Sequence, residues 1–188
     1  YKPQIIQAVK EKTQRNLRLE GNIALTFWPS IGASLGKASL SERGGDREFA
    51  AVDEARVSLK LMPLLSRQAV VDKVYVKGLR AHIVKGKDGK TNADDIAAQE
   101  PKPGPTQPAQ DFKVDIAGVE ITDATIQYTD QAAGAKYVLS KLDLKTGRIA
   151  PGVPTTVEFS ARAQGEKPKL DLQTKLKTRV AFDPGELV

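Results

Sequence analysis

His82 is the sole histidine of this 188-residue chain, and there is no cysteine at all. That pair of facts removes most site chemistry at once. A zinc site of the usual kind needs several His or Cys ligands. A Ser-His-Asp relay would have to use His82, yet no Ser or Asp is directed at it. His82 stands between Ala81 and Ile83 on the polar parity of its segment, as a surface histidine would. Two carboxylate pairs, Asp94/Asp95 and Asp123/Asp130, have the groups for acid–base work or cation binding. Their spacing fits no oxygen-cage loop, and Asp is favoured at caps and turns for its own hydrogen bonding. Gly86-Lys87-Asp88-Gly89-Lys90-Thr91 resembles part of a phosphate-binding loop. The full pattern needs a further Gly at position 84, where Val84 stands, and no long helix follows. Asp88-Gly89 reads instead as a turn. We therefore expect no catalytic residue, no metal and no cofactor, and a protein that is not an enzyme.

The elements around these residues are mostly strands. Residues 3–16 are the exception: Pro3 suits a first helical turn, and Ile5, Ile6, Ala8 and Val9 make an apolar stripe. From Leu17 the period becomes two. Leu17, Leu19, Ile23, Leu25 and Phe27 alternate with polar or small residues until Pro29, which predicts an unusually long strand of about 36 Å. Ala55, Val57, Leu59 and Leu61 alternate again. So do Val157, Phe159, Ala161 and Ala163, and then Leu170, Leu172, Leu176, Val180 and Phe182. Asn92–Gln99 reads as a helical turn or two capped by Asn92. Residues 101–110, with four prolines and a glycine, read as a linker or loop. It divides the chain into residues 1–100 (the helix and a first β unit) and residues 111–188 (a second β unit continuing the sheet).

The two halves share a pattern. Val74, Val76, Leu79, Ala81 and Ile83 match Val119, Ile121, Ala124, Ile126 and Tyr128 at an offset of 45 residues. In both, the apolar parity flips at the same place, after Lys77-Gly78 and after Thr122-Asp123, as at a bulge or kink. Weaker copies run through Ala33, Leu35, Ala38 and Leu40, and through Tyr137, Leu139, Leu142 and Leu144. Repetition of kinked strands suggests a sheet that grows by similar units. Many one-faced strands with one helix to cover them must close as a sandwich or barrel, or curl into a trough with apolar surface left open. Exposed apolar surface on that scale marks a ligand or partner.

Composition agrees with a β-protein that has a sizeable core. Hydrophobic residues make up 40% and aromatic residues 5%, and the net charge of +6 comes from scattered Lys and Arg. Scattered charge is a solvated surface first and a weak attraction to anionic lipid second. No interleaving of aromatic and basic residues of the kind that binds single-stranded nucleic acid is present. No apolar run approaches the roughly 20 residues that span a bilayer, and no signal peptide is visible. A start at Tyr1 without Met is read as part of a longer protein. Trp28, beside Pro29 at a strand end, is the membrane-interface candidate.

Three stretches carry a family resemblance. YKPQIIQAVKEKTQRNLRLEGNIALTFWPSIGASLGKASLSE, FAAVDEARVSLKLMPLLSRQAVVDKVYVKGLRAHIVKGKDGKTNADDI and VEITDATIQYTD resemble the N-terminal region of AsmA-like proteins. VDEARVSLKLMPLL, VDKVYVKGLR and DGKTNADDI are specific in combination. Ala93, where an aromatic would stand, and the Pro-rich 101–110 segment depart from the pattern. The resemblance implies anchorage in the inner membrane of a Gram-negative bacterium by a helix ending just before Tyr1. It implies a periplasmic, curved, mostly antiparallel β-sheet with a hydrophobic groove, similar to chorein-type bridge proteins that pass phospholipid between membranes. It also implies a part in outer-membrane lipid balance and biogenesis, with envelope assembly proteins as further partners. The groove candidates are Leu17, Leu19, Ile23, Leu25, Phe27, Val57, Leu59, Leu61, Val74, Val76, Leu79, Ile83, Val119, Ile121, Ile126 and Tyr128, with phospholipid as the ligand. The alternative is a closed β core that serves assembly partners as a scaffold.

Overall fold

The computed structural model describes residues 2–28, 30–60, 70–97 and 115–181. Leu61, Phe182 and the 101–110 segment lie outside these residues. Helix α1 (Lys2–Thr13) is followed by β1 (Leu17–Leu19), β2 (Ile23–Thr26), β3 (Ser30–Leu35), β4 (Ala38–Ser41), β5 (Glu48–Val52), β6 (Glu54–Lys60), β7 (Val70–Lys77) and β8 (Arg80–Lys85). A one-turn helix α2 (Asp94–Ala97) precedes β9 (Asp115–Ile116), β10 (Val119–Asp130), β11 (Ala135–Thr146), β12 (Thr155–Glu166) and β13 (Lys169–Val180). α1 stops short of the expected residue 16. Gln14 takes the left-handed conformation (φ 57°) and its N–H closes on the Lys10 carbonyl at 2.9 Å, a C-terminal cap that ends the helix.

All thirteen strands belong to one sheet. The first eight are four chain passes, each broken in the middle: β1–β2, β3–β4, β5–β6 and β7–β8. Neighbouring passes pair antiparallel on both sides of the break. The predicted unbroken strand from Leu17 to Phe27 is therefore two short strands, with Phe27 beyond the second. The break has a steric cause. A Cβ on Gly21 would lie 2.3 Å from the Lys37 nitrogen, so the two passes approach there at glycine distance, with Gly21 N donating to Lys37 O (2.8 Å) and Gly36 N donating to Asn22 O (2.9 Å).

The breaks line up across the sheet. Asp53 separates β5 from β6 and donates its N–H to Lys77 O (3.0 Å); Gly78, at φ 64°, separates β7 from β8 and donates to Thr122 O (2.9 Å). In β10 the chain continues through the line, with Asp123 at φ 52°, and in β11 with Lys141 at φ 49°. Both strands shift register there, and β12 and β13 run on with no shift between them. Gly78 and Asp123 are the two positions at which the sequence alternation flips.

β10 lies parallel to β7 and then to β8, and β9 extends the same pairing to Val70 and Val71. Each of these ladder pairs is 45 residues apart, from Val70↔Asp115 to Lys85↔Asp130. The offset seen in the sequence is thus the register of two adjacent parallel strands. Beyond β10 the sheet grows by hairpins through β11 and β12 to β13.

No ladder joins β13 to β1 or β2 among the described residues, so the sheet is open rather than closed into a barrel. Its buried centre is small: Ala124, Leu142 and Ala161, flanked by Leu79, Ile121, Ile126, Leu139, Leu144 and Phe159. α1 buries no residue and leaves the apolar face uncovered. No helix among the described residues is long and apolar enough to cross a membrane.

Candidate functional site: two apolar rows across an open sheet

Alternation along each strand puts one set of side chains on one face, and register carries that set from strand to strand. On one side of the break line, the register runs Ile23–Leu35–Ala55–Val76–Ile121–Leu144–Phe159–Leu176. On the other it runs Leu17–Leu40–Ala50–Ala81–Ile126–Leu139–Ala163–Leu172. Every position of both rows is apolar, and each row crosses the full sheet, about 34 Å at 4.8 Å per strand. The two rows share a face. β12 and β13 are unbroken, and within them Phe159 and Ala163, or Leu172 and Leu176, have the same parity.

The groove candidates distribute over this face as follows. Leu17, Ile23, Val76, Ile121 and Ile126 are members of the two rows. Leu25, Val57, Val74 and Val119 form a shorter row, through Ala33, beside the first. Leu59 pairs with Ile31 and with Val71. Leu19 pairs with Ala38, and Ile83 pairs with Tyr128, which pairs in turn with Tyr137. Leu79 packs on the buried centre. Leu144, Phe159 and Leu176, and likewise Leu40, Leu139 and Leu172, are equal members of the rows that the candidate set omitted. Their strands show the same alternation, which was the available signal.

The face is wet where the sheet ends. Leu25 is 59% exposed at one edge, and Leu172 and Leu176 are 54% and 53% exposed at the other. Phe27 and Trp28 are more exposed still, Trp28 at 71%. Trp28 therefore does not pack at its strand end. The apolar face is an open surface rather than an enclosed cavity.

The opposite face is charged in register. Glu120 pairs with Lys145, Lys145 with Glu158, and Glu158 with Lys177. Lys73 Nζ lies 2.9 Å from Glu120, Lys177 Nζ lies 2.7 Å from Glu158, and Arg162 bonds Asp171 at 2.6 Å. Hydrogen bonds from these cations hold the Glu120, Glu158 and Asp171 carboxyls below their ordinary pKa values. His82 belongs to this side, with Nδ1 3.2 Å from the Glu48 carbonyl. The four aspartates singled out in the sequence do structural work. Asp94 accepts from the Thr91 N–H, Asp130 accepts from the Ala132 and Ala133 N–H groups, and the Asp123 N–H bonds the Asp143 carboxylate.

Asp95 belongs to a feature that sequence reasoning missed. Arg15 has no exposed side-chain surface. Its guanidinium donates to both Asp95 oxygens (Nε to Oδ2 at 3.0 Å, Nη2 to Oδ1 at 2.6 Å), to Ser41 O at 3.0 Å and to Asn92 O at 2.5 Å, and it stacks 4.2 Å above the Phe49 ring. The hydrogen bond from Arg15 lowers the Asp95 pKa. Asn92 is not the cap of α2. Its side chain instead bonds the backbone of β8, accepting from Val84 N–H and donating to His82 O, each at 2.9 Å. The latch ties the end of α1 to the 91–97 segment and the β4–β5 hairpin. Among the described residues, no group of three or more His, Asp or Glu is placed to hold a metal.

The profile of the AsmA family matches residues 1–182. Protein AsmA of Escherichia coli (strain K12) is 28% identical over 78 residues, which is 42% of this chain and 13% of that protein. The chain thus matches a small part of the length of that relative.

Proposed function

Because this chain belongs to the AsmA family, we propose that it is a non-catalytic, periplasmic segment of an envelope protein that holds phospholipid acyl chains on its apolar face. The full-length protein would be anchored in the inner membrane and would support outer-membrane lipid balance and biogenesis. The observation that carries this reading is the pair of apolar rows crossing all eight passes without a polar interruption. Acyl chains laid on them gain about 25 cal/mol for each Å² of apolar surface removed from water. Headgroups stay in solvent at the rims. The open sheet, with no ladder between its two edges, favours this reading over a closed scaffold.

The test is native mass spectrometry with lipid extraction on protein purified from cells. Co-purifying phospholipid, lost in Leu25→Glu or Leu59→Glu, is the expected result. Protein that is clean and stays clean after incubation with phospholipid vesicles would sink the reading.

A further inference from the structure

Phe27 and Trp28 lie in the connection between β2 and β3. At 67% and 71% they are the most exposed large apolar side chains among the described residues. Each aromatic ring has about 150–250 Å² to bury, so this pair leaves a large apolar surface in water.

The place of the turn in the fold sets it apart. The strands run between two ends of the sheet, and the connections at those ends differ in charge. At the end away from Trp28, ERGGDR (42–47) joins β4 to β5 and GKDGK (86–90) follows β8; they hold four and three charged side chains. At the Trp28 end, GRIAPGVP (147–154) joins β11 to β12 and holds one charge, Arg148, which Asp115 engages at 2.6 Å. Phe27 and Trp28 add none. Among the described residues, one end of the sheet is thus charged and the other apolar. A further strand beside β2 would run alongside it and leave this turn at the end of the sheet.

We propose that the Phe27–Trp28 turn seats the sheet on the surface of a phospholipid bilayer. An uncharged hairpin tip with two aromatic rings suits that interface: the ring bodies enter the acyl boundary and the indole N–H stays at headgroup level. A folded protein partner would need a pocket shaped to two protruding rings, whereas a fluid bilayer needs none. The turn also adjoins the apolar face. Leu25, two residues before Phe27, opens the shorter row through Ala33 to Val57, Val74 and Val119. A lipid leaving the bilayer at the tip meets that row first. This last step rests on the acyl-chain reading above; the seating does not.

The experiment is flotation of the protein with vesicles of dioleoylphosphatidylcholine, whose headgroup has no net charge, so that the scattered Lys and Arg contribute little. The protein should float with the vesicles, and equally at about 0.1 M and about 1 M salt, because apolar seating is not screened. Phe27→Ser and Trp28→Ser should each lower the partition coefficient about tenfold. Leu172→Ser/Leu176→Ser, on the two long rows at the far side of the sheet, should leave flotation unchanged. Circular dichroism checks that each variant is folded. No flotation of the unmodified protein, or flotation that survives the loss of both rings, would overturn the seating. Flotation lost in the Leu172/Leu176 variant as well would assign vesicle binding to the apolar rows and overturn it too. Lipid uptake is read separately by native mass spectrometry: uptake without flotation overturns the seating and leaves the acyl-chain reading standing, and flotation without uptake does the reverse.

Discussion

Removing the Asp95 carboxylate leaves the Arg15 guanidinium buried with half of its partners gone. Arg15 has no exposed side-chain surface, and Asp95 receives two of its hydrogen bonds, at 3.0 and 2.6 Å. Breaking one side of a buried pair costs about 3–5 kcal/mol, since the remaining charge is uncompensated. Here the Ser41 and Asn92 carbonyls and the Phe49 ring stay in place, and Asp95 is itself 18% exposed, so water reaches the gap. The lower end, about 3 kcal/mol, is the value for Asp95→Ala. For a chain of this length that lowers Tm by about 6–12 °C. Urea unfolding followed by circular dichroism gives the midpoint, with an unchanged slope as the sign of an unchanged denatured state. Replacing both partners, Arg15→Met with Asp95→Ala, should recover at least half of the loss, because a thioether needs no counter-charge and packs on Phe49. A single-variant loss below about 0.5 kcal/mol would refute the latch, and so would strict additivity in the double variant.

Other consequences are equally open to test. Gly78→Ala meets both a left-handed backbone and the Asp53 side chain, whose carboxylate carbon lies 2.6 Å from the new Cβ, so it should cost about 1–3 kcal/mol by urea midpoint; an unchanged midpoint would refute the aligned break line. Asp95, Asp115, Glu120, Asp130, Glu158 and Asp171 all have lowered pKa values in the folded chain, most through hydrogen bonds from Arg or Lys, and Asp130 mainly from the Ala133 N–H. Such groups contribute stability above their unfolded values of 3.8 and 4.5 and lose it as pH falls through the folded ones, so Tm should be level near neutrality and drop below pH 4.5; a Tm that rises on acidification would contradict the pairing. Trp28 is the single tryptophan and is 71% exposed, so its emission should be that of a solvated indole and should shift to the blue on phospholipid vesicles if it seats at the interface; no shift removes it as an anchor.

Much of the sheet was legible because alternation and register are local or periodic. The parity flips at Gly78 and Asp123 mark real left-handed residues, and the 45-residue offset is a ladder register. The break at Gly21 was not legible, since its cause is the close approach of Gly36 from the next pass, and alternation continues across it. Nor was the Arg15 latch. Its partner is 80 residues away, and one Arg among scattered cations has no local pattern that foretells burial. Asn92 looked like a cap because Asn favours caps; the β8 backbone used the same donor and acceptor instead.

The central claim is that acyl chains lie on the two apolar rows. A phospholipid with a photoreactive diazirine in its acyl chain, cross-linked to the protein and mapped by peptide mass spectrometry, tests it most directly. Adducts should fall on row residues such as Ile121, Leu144, Leu172 and Leu176. Adducts confined to the charged face around Lys73, Glu120 and Glu158, or none at all, would contradict it.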